Sequence, residues 1–217
     1  MPPLFTGFDK ADFDVFRIPG LEPRMSAIRE RIQPKLAALG EHFVPFLSER
    51  LQSPMYAHVA KHARRTVNPP GDTWVAFSAN GRGYKQHPHF QIGIWPTHIF
   101  AAFGYIYEAK DKVAFGNYLR AQARDIERLV PTDFIYIPDH TQPSSIPAAQ
   151  VSERDIVAFG ERLMQVKKAE LLIGRRMDQE TVMTQTGSQL VEWVENTFTP
   201  LCTLWVEASR AQAIHGR

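Results

Sequence analysis

The chain has 217 residues and a mass of 24.7 kDa, with 44% hydrophobic and 22% charged residues, values that exclude disordered and fibrous classes. A chain of this length buries roughly 70% of its unfolded surface without disulfide or metal staples, so one domain spanning 1–217 is expected. Its formal charge of +2 says little by size, and a single cysteine, Cys202, excludes an intrachain disulfide and suits a reducing cytoplasm.

No run approaches the roughly 18 apolar residues of a membrane span, and "MPPLFTGFDKADF" has neither a basic n-region nor an apolar h-region. A soluble, cytoplasmic chain with no membrane partner is expected, as monomer or homodimer. Cys202 lies in "FTPLCTLWVEA", apolar at helical spacing, and reads as a packed, inert thiol.

In chain order, "FDVFRI", Phe13 to Ile18, reads as a short strand closed by Pro19-Gly20. Met25, Ile28, Ile32, Leu36 and Leu39 recur at spacings of three and four, predicting a helix from Glu22 to Leu39 with Pro34 kinking or splitting it and Gly40 as its cap. A shorter helix follows over Phe43–Leu51. Met55–Ala63 fits strand or helix, and "YAHVA" favours strand. After the "NPPGD" turn, "TWVAFSA" alternates as a half-buried strand, and "HFQIGIW" and "HIFAAFGYIY" form an antiparallel pair.

Lys110–Leu129 is predicted as a helix with Phe115, Leu119, Ala123, Ile126 and Leu129 inward. "DFIYI" is a strand and "PDHTQPSSIPAAQ" a loop. Ser152 caps a helix presenting Ile156, Phe159, Leu163 and Val166 on one face. "AELLIG" is a strand, and a long helix runs from Thr186 to Ala211, interrupted near Pro200. Helices interspersed around a hairpin-linked meander predict an α+β fold: a single domain with a mainly antiparallel central sheet covered by helices, rather than a doubly wound parallel sheet.

Charge is concentrated in one place. From Pro54 to Gln91 the chain carries Lys61, Arg64, Arg65, Arg82 and Lys85 against Asp72, a net +4 that leaves −2 for the remainder. Such a patch raises the local concentration of anions. The same segment holds His58, His62, His87 and His89, half of the chain's eight histidines. Arg64 and Arg65 precede a Pro-Pro turn, where arginines are often merely solvated, yet their guanidinium forks match carboxylate and phosphate.

In "SANGRGYK", Gly81 and Gly83 permit close backbone approach to a ligand, with Arg82 and Lys85 at the rim; a plain hairpin turn explains the loop as well. It lacks the spacing of a phosphate-binding P-loop. His87 and His89 have the spacing of paired metal ligands, but a third ligand would have to come from His58, His62, Asp139 or His140, and no metal is assigned.

Signatures of acyl transfer ("GxSxG"), zinc proteolysis ("HExxH"), thiol redox ("CxxC") and dinucleotide binding ("GxGxxG") are absent. The paired "HxT" or "HxS" steps of a two-histidine phosphoesterase are absent too. Positive charge and hydrogen-bond donors remain, groups that bind anions and stabilise developing negative charge.

"GLEPRM", "IQPKLAALG", the middle motif "HVAKHARRTVNPPGDTWVAFSANGRGYKQHPHFQIGIWPTH" and the later "PDH" resemble the YktB-like bacterial family of uncharacterised proteins. The resemblance spans nearly the whole chain; it implies a cytoplasmic, single-domain α+β protein and carries no mechanism. A local likeness, "NGRGYK" followed by "VKKAELLIGRR", resembles biotin and lipoate protein ligases over about a dozen positions. It implies that Arg82 clamps an acyl-adenylate and that Lys167 or Lys168 reaches its carbonyl or phosphate, although Glu170 stands where those ligases carry a small residue.

The leading expectation is a pocket for a small anionic ligand, such as a nucleotide, an acyl-adenylate or a phosphorylated metabolite. It would be lined by His58, His62, Arg64, Arg65, Arg82, Lys85, His87 and His89, with Trp74, Tyr84 or Trp95 stacking on a base. The alternatives are weak nucleic-acid binding and a protein-interaction module whose basic face meets an acidic partner. Catalysis, cofactor and substrate stay open at this level.

Overall fold

A computed structural model describes residues 5–215 of the chain, with side-chain surroundings through Arg210. The first element is a helix, α1 (Lys10–Asp14), running into a 3₁₀ turn over Val15–Arg17, where the alternation of Phe13 and Val15 predicts a strand. Asp9 and Asp12 explain the difference through a reciprocal capping box: the Asp9 carboxylate accepts from the N–H groups of Ala11 and Asp12, and Asp12 accepts from the Asp9 N–H. The buried Asp12 carboxylate is held by Lys35 and Arg31.

A continuous helical path follows: α2 (Leu21–Ala27), a π turn over Ile28–Ile32, and α3 (Gln33–Leu51). Pro34 has no N–H to bond back to its preceding turn, and the widened π turn just before it absorbs that loss without splitting the helix. Gly40 caps nothing. It lies within α3 where a Cβ would sit 3.1 Å from that of Ala57, so its lack of a side chain lets the helix press against the sheet.

The sheet has seven strands, all antiparallel: β1 (Tyr56–Val59), β2 (Thr73–Ser78), β3 (His89–Ile94), β4 (His98–Tyr105), β5 (Ile135–Ile137), β6 (Ile146–Pro147) and β7 (Leu171–Asp178), in the order β1-β2-β3-β4-β7-β5-β6. The first four form the expected meander. β7 then inserts between β4 and β5, pairing Phe103 with Ile173 on one side and Ile137 with Leu172 on the other. The α+β expectation holds.

Helices α4 (Lys112–Ala121), α5 (Ala123–Leu129), α6 (Glu153–Gln165) and α8 (Gly187–His215), with α3, lie around the sheet; the short α7 (Gln179–Val182) links β7 to α8. Two helices replace the single one expected over Lys110–Leu129, with the break at Gln122. The Ser152 cap is present, completed by Asp155, but Val166 falls beyond α6 and is exposed. α8 runs through Pro200 without interruption.

β2, β3, β4 and β7 turn Val75, Phe77, Phe90, Ile92, Phe103 and Ile173 to the helices, where Phe43 and Phe198 close the core edge-to-face. No helix among the described residues is long and apolar enough to cross a membrane.

Candidate functional site

Successive strand residues point to opposite faces, so the register sets what the other face carries. Ala76 pairs with Gln91, Gln91 with Ala102 and Ala102 with Gly174, while His58 pairs with Ala76 at the β1 edge. Phe100, Ala102, Leu172, Ile135 and Ile137 make a small apolar patch there, against which Trp74 and Trp95 pack. Loops 60–72, 79–88 and 138–145, rather than helices, border this face.

The basic hairpin loop is stapled down by its own histidines. Nε2 of His58 lies 2.9 Å from the Asn80 carbonyl oxygen, and the Asn80 amide meets Nε2 of His87 at 2.9 Å. Tyr84 accepts a hydrogen bond from the Trp74 indole at 2.9 Å and packs its ring edge on His89. Burial pushes the Tyr84 phenol up to about 12, so it stays protonated.

His89 is fully buried, with Nδ1 on the His87 carbonyl and Nε2 on Gln91; desolvation drives it down to about 4 and keeps it neutral. It therefore supports the loop from below. His62 adopts left-handed backbone (φ 50°), places Nε2 3.0 Å from the Thr73 hydroxyl, and is held at about 4 by burial first and by Arg65 and Lys85 second. At neutral pH it adds no charge.

Three adjoining hollows open over this face and share Lys85. One, of about 360 Å³, is lined by Lys61, His62, Arg64, Arg65, Trp74 and Tyr84. The next, of about 300 Å³, is lined by Arg65, Asp72, Trp74, Trp95, Glu108 and His140. The outermost takes in Arg82, Arg64, His58 and His87. Lys85 approaches Glu108 at 3.7 Å, whereas no carboxylate of the described residues stands within ion-pair distance of Lys61, Arg64, Arg65 or Arg82.

The structure thus brings seven of the eight sequence-predicted residues to one trough and leaves His89 beneath it. Lys167 and Lys168 are exposed in the turn between α6 and β7 and line none of these hollows, so the two pieces of the ligase likeness do not converge.

The structure adds groups at the inner end. Asp72, only 7% exposed, points into the 300 Å³ hollow with no hydrogen-bonding partner from another described residue. Burial raises its carboxyl to about 6 against the opposing pull of His140 and Arg65. His140 Nδ1 sits 2.7 Å from Oε1 of the buried Glu170, which also accepts the His140 backbone N–H at 2.6 Å; Oε2 accepts the Tyr107 N–H at 3.3 Å.

Register explains this meeting: Ile137 pairs with Leu172, so the residues just after β5 run beside those just before β7. Asp139, His140 and Glu170 are, among the described residues, the one trio of potential metal ligands with atoms within 4.8 Å of one another; it includes neither His87 nor His89. His140 and Glu170 already satisfy one another there, and Asp139 accepts from the Thr141 N–H and hydroxyl.

Sequence reasoning weighs Asp72 only as a counter-charge and His140 only as a spare ligand. Their one local signal is position: Asp72 follows Pro69-Pro70-Gly71 just before β2, and His140 follows Pro138 just after β5.

A family model described as "Domain of unknown function (DUF1054)" matches residues 8–205. The chain is 46% identical over 198 residues to a UPF0637 protein of Bacillus velezensis, covering 91% of this chain and 94% of the relative. It is 47% identical over 203 residues to one of Bacillus cereus, covering 94% and 98%, and 48% identical over 198 residues to one of Bacillus cytotoxicus, covering 91% and 95%. With a match running from α1 into α8 and these identities along nearly full lengths, the chain belongs to the DUF1054 family of UPF0637 proteins, the group that its middle motif resembles.

Proposed function

We propose that the trough binds a small anionic ligand carrying an aromatic or otherwise flat body, of the nucleotide or phosphorylated-metabolite class. The observation that supports this reading is the set of cations lacking carboxylate partners, Lys61, Arg64 and Arg65, that lines the hollows shared with Lys85. Guanidinium groups with no carboxylate in ion-pair distance, of which Arg65 donates one bond to the Asn68 carbonyl at 3.4 Å, suit phosphate or carboxylate oxygens, which accept two parallel N–H bonds from each fork. Trp74 and Trp95 border the same hollow as Arg65, so a flat ring and its anionic group fit side by side. The cations are grouped in hollows rather than strung along a track, which favours a small molecule over a nucleic-acid strand.

Thermal melting of the full chain with pyrophosphate and with purine and pyrimidine nucleotides tests the reading. Ligand at 100 times its Kd adds about 2.7 kcal/mol, or roughly 5–10 °C for a domain of this size. The double substitution Arg65→Ala, Lys85→Ala should abolish that shift. An unmoved melting temperature across the panel removes the pocket. Binding to single-stranded DNA or RNA that weakens by several log units per log unit of salt assigns the surface to nucleic acid instead.

A further inference from the structure

The inner end of the trough holds two groups that a binding role alone does not call for. Glu170 engages Nδ1 of His140 and also accepts its backbone N–H, so a carboxylate fixes both the ring's tautomer and its direction. Nε2 is then the nitrogen that carries the lone pair. Among the described residues nothing hydrogen-bonds it, and His140 borders both the 300 Å³ hollow and the narrower slot beneath Trp95.

Asp72 lines that hollow as well, buried and with no hydrogen bond from any other described residue. Such a carboxyl costs folding free energy, and its placement opposite an oriented imidazole is the arrangement of a base and an acid sharing one reacting molecule. Its upward-shifted titration, to about 6, keeps a usable protonated fraction near neutral pH.

We propose that the trough hydrolyses a phosphate monoester, with His140 as general base and Asp72 as general acid, and with Glu170 as the positioning residue for His140. This rests on the anion-binding reading and names what becomes of the ligand. Water gives one proton to Nε2 of His140 while its oxygen forms a bond to phosphorus. The bond from phosphorus to the ester oxygen breaks, that oxygen keeps the electron pair, and it takes the proton of Asp72. Inorganic phosphate and an alcohol leave, and the imidazolium proton returns to Asp72 through solvent. Arg65 and Lys85, which line the same hollow, would face the phosphoryl oxygens.

The test uses the full chain with two substrates, glycerol 2-phosphate, whose alkoxide must be protonated to leave, and p-nitrophenyl phosphate, whose phenolate leaves unaided. General acid or base groups contribute on the order of 10²–10⁴ in rate. His140→Gln should therefore cost at least about 100-fold on both substrates. Asp72→Asn should cost about as much on glycerol 2-phosphate and less than about tenfold on p-nitrophenyl phosphate. Glu170→Gln should lower kcat without raising KM and alter the acidic limb of the pH profile.

Phosphate release by the wild type no faster than by His140→Gln, or equal losses on both substrates in Asp72→Asn, overturns the proposal. A pyrophosphate-dependent melting shift in an inactive wild type would leave the binding reading standing and remove only the catalysis. Loss of both removes the trough itself.

Discussion

The two faces of the central sheet are made from the same strands and obey opposite rules. Towards the helices, β2, β3 and β4 present Val75, Phe77, Phe90, Ile92 and Phe103, and Phe43 and Phe198 fill the remaining space with edge-to-face rings. Towards the loops, the same strands present Ala76, Ser78, His89, Gln91, Gly93 and Ala102. A built Cβ at Gly93 would fall 2.4 Å from the Phe100 ring, so that glycine exists to let the ring lie flat on the strand. One face therefore supplies stability through dispersion and water exclusion. The other is partly polar, is satisfied by short internal hydrogen bonds, and keeps a residue of unspent charge. The difference teaches where to look for function in such a fold: on the face whose polar groups cost stability and are retained.

The largest contrast should come from acid. His89 and His98, on the loop face, and His62, in the loop bordering it, are all depressed to about 4, chiefly by burial. A histidine with a lowered folded value contributes stability above its unfolded value of about 6.5 and loses it as the pH falls towards 4. Together they should remove on the order of 5 kcal/mol between those limits, allowing for partial exposure of His62 and His98. Urea titrations at pH 7 and pH 4.5 check this, and replacing His98 with Gln should flatten the dependence. A pH-independent midpoint would mean that the loop face is looser than its packing indicates.

Next in size is the helix face. Phe198→Ala removes a ring that meets Phe43, Phe77 and Phe90 and should cost about 3–5 kcal/mol by denaturant unfolding. Any pyrophosphate-induced melting shift should survive it, since none of these rings lines the trough. Loss of the ligand response in a folded Phe198→Ala chain would show that the two faces are coupled.

The smallest of the three effects has the opposite sign. Asp72 is raised from 3.8 to about 6, so the folded state favours its protonated form: its stability is fully present below pH 4 and is lost as pH rises through 6. Asp72→Asn should therefore stabilise the chain at pH 7.5 by on the order of 2 kcal/mol, and the gain should vanish near pH 4. Measuring both pH values distinguishes relief of a buried charge from a general packing improvement. A substitution that stabilises the fold while slowing glycerol 2-phosphate hydrolysis would mark the carboxyl as kept for chemistry.

Much of this was legible in the residues. The apolar character of "HFQIGIW" and "HIFAAFGY", the Ser152 cap and the amphipathic face of α6 are local features that can be read along the chain, whereas β2, expected half-buried, is buried on both faces because its neighbours and the bordering loops cover it. The concentration of cations between Lys61 and Lys85 was equally plain, as was the family likeness carried by the middle motif. The turn at Asp9 was within reach as well, through its capping box, but the alternation of Phe13 and Val15 masked it.

What composition and period determine, then, is which segments are buried and where charge is concentrated, because both are properties of near neighbours in sequence. Only the tertiary structure decided that β7 runs between β4 and β5, that α3 and α8 continue through their prolines, and that His89 lies under the trough. Glu170 reaches His140, thirty positions earlier in the chain, and Asp72 shares a hollow with both Arg65 and His140. Such meetings are set by strand order and by the packing of helices on one face, and those depend on contacts between residues far apart in sequence, which leave no periodic trace in it.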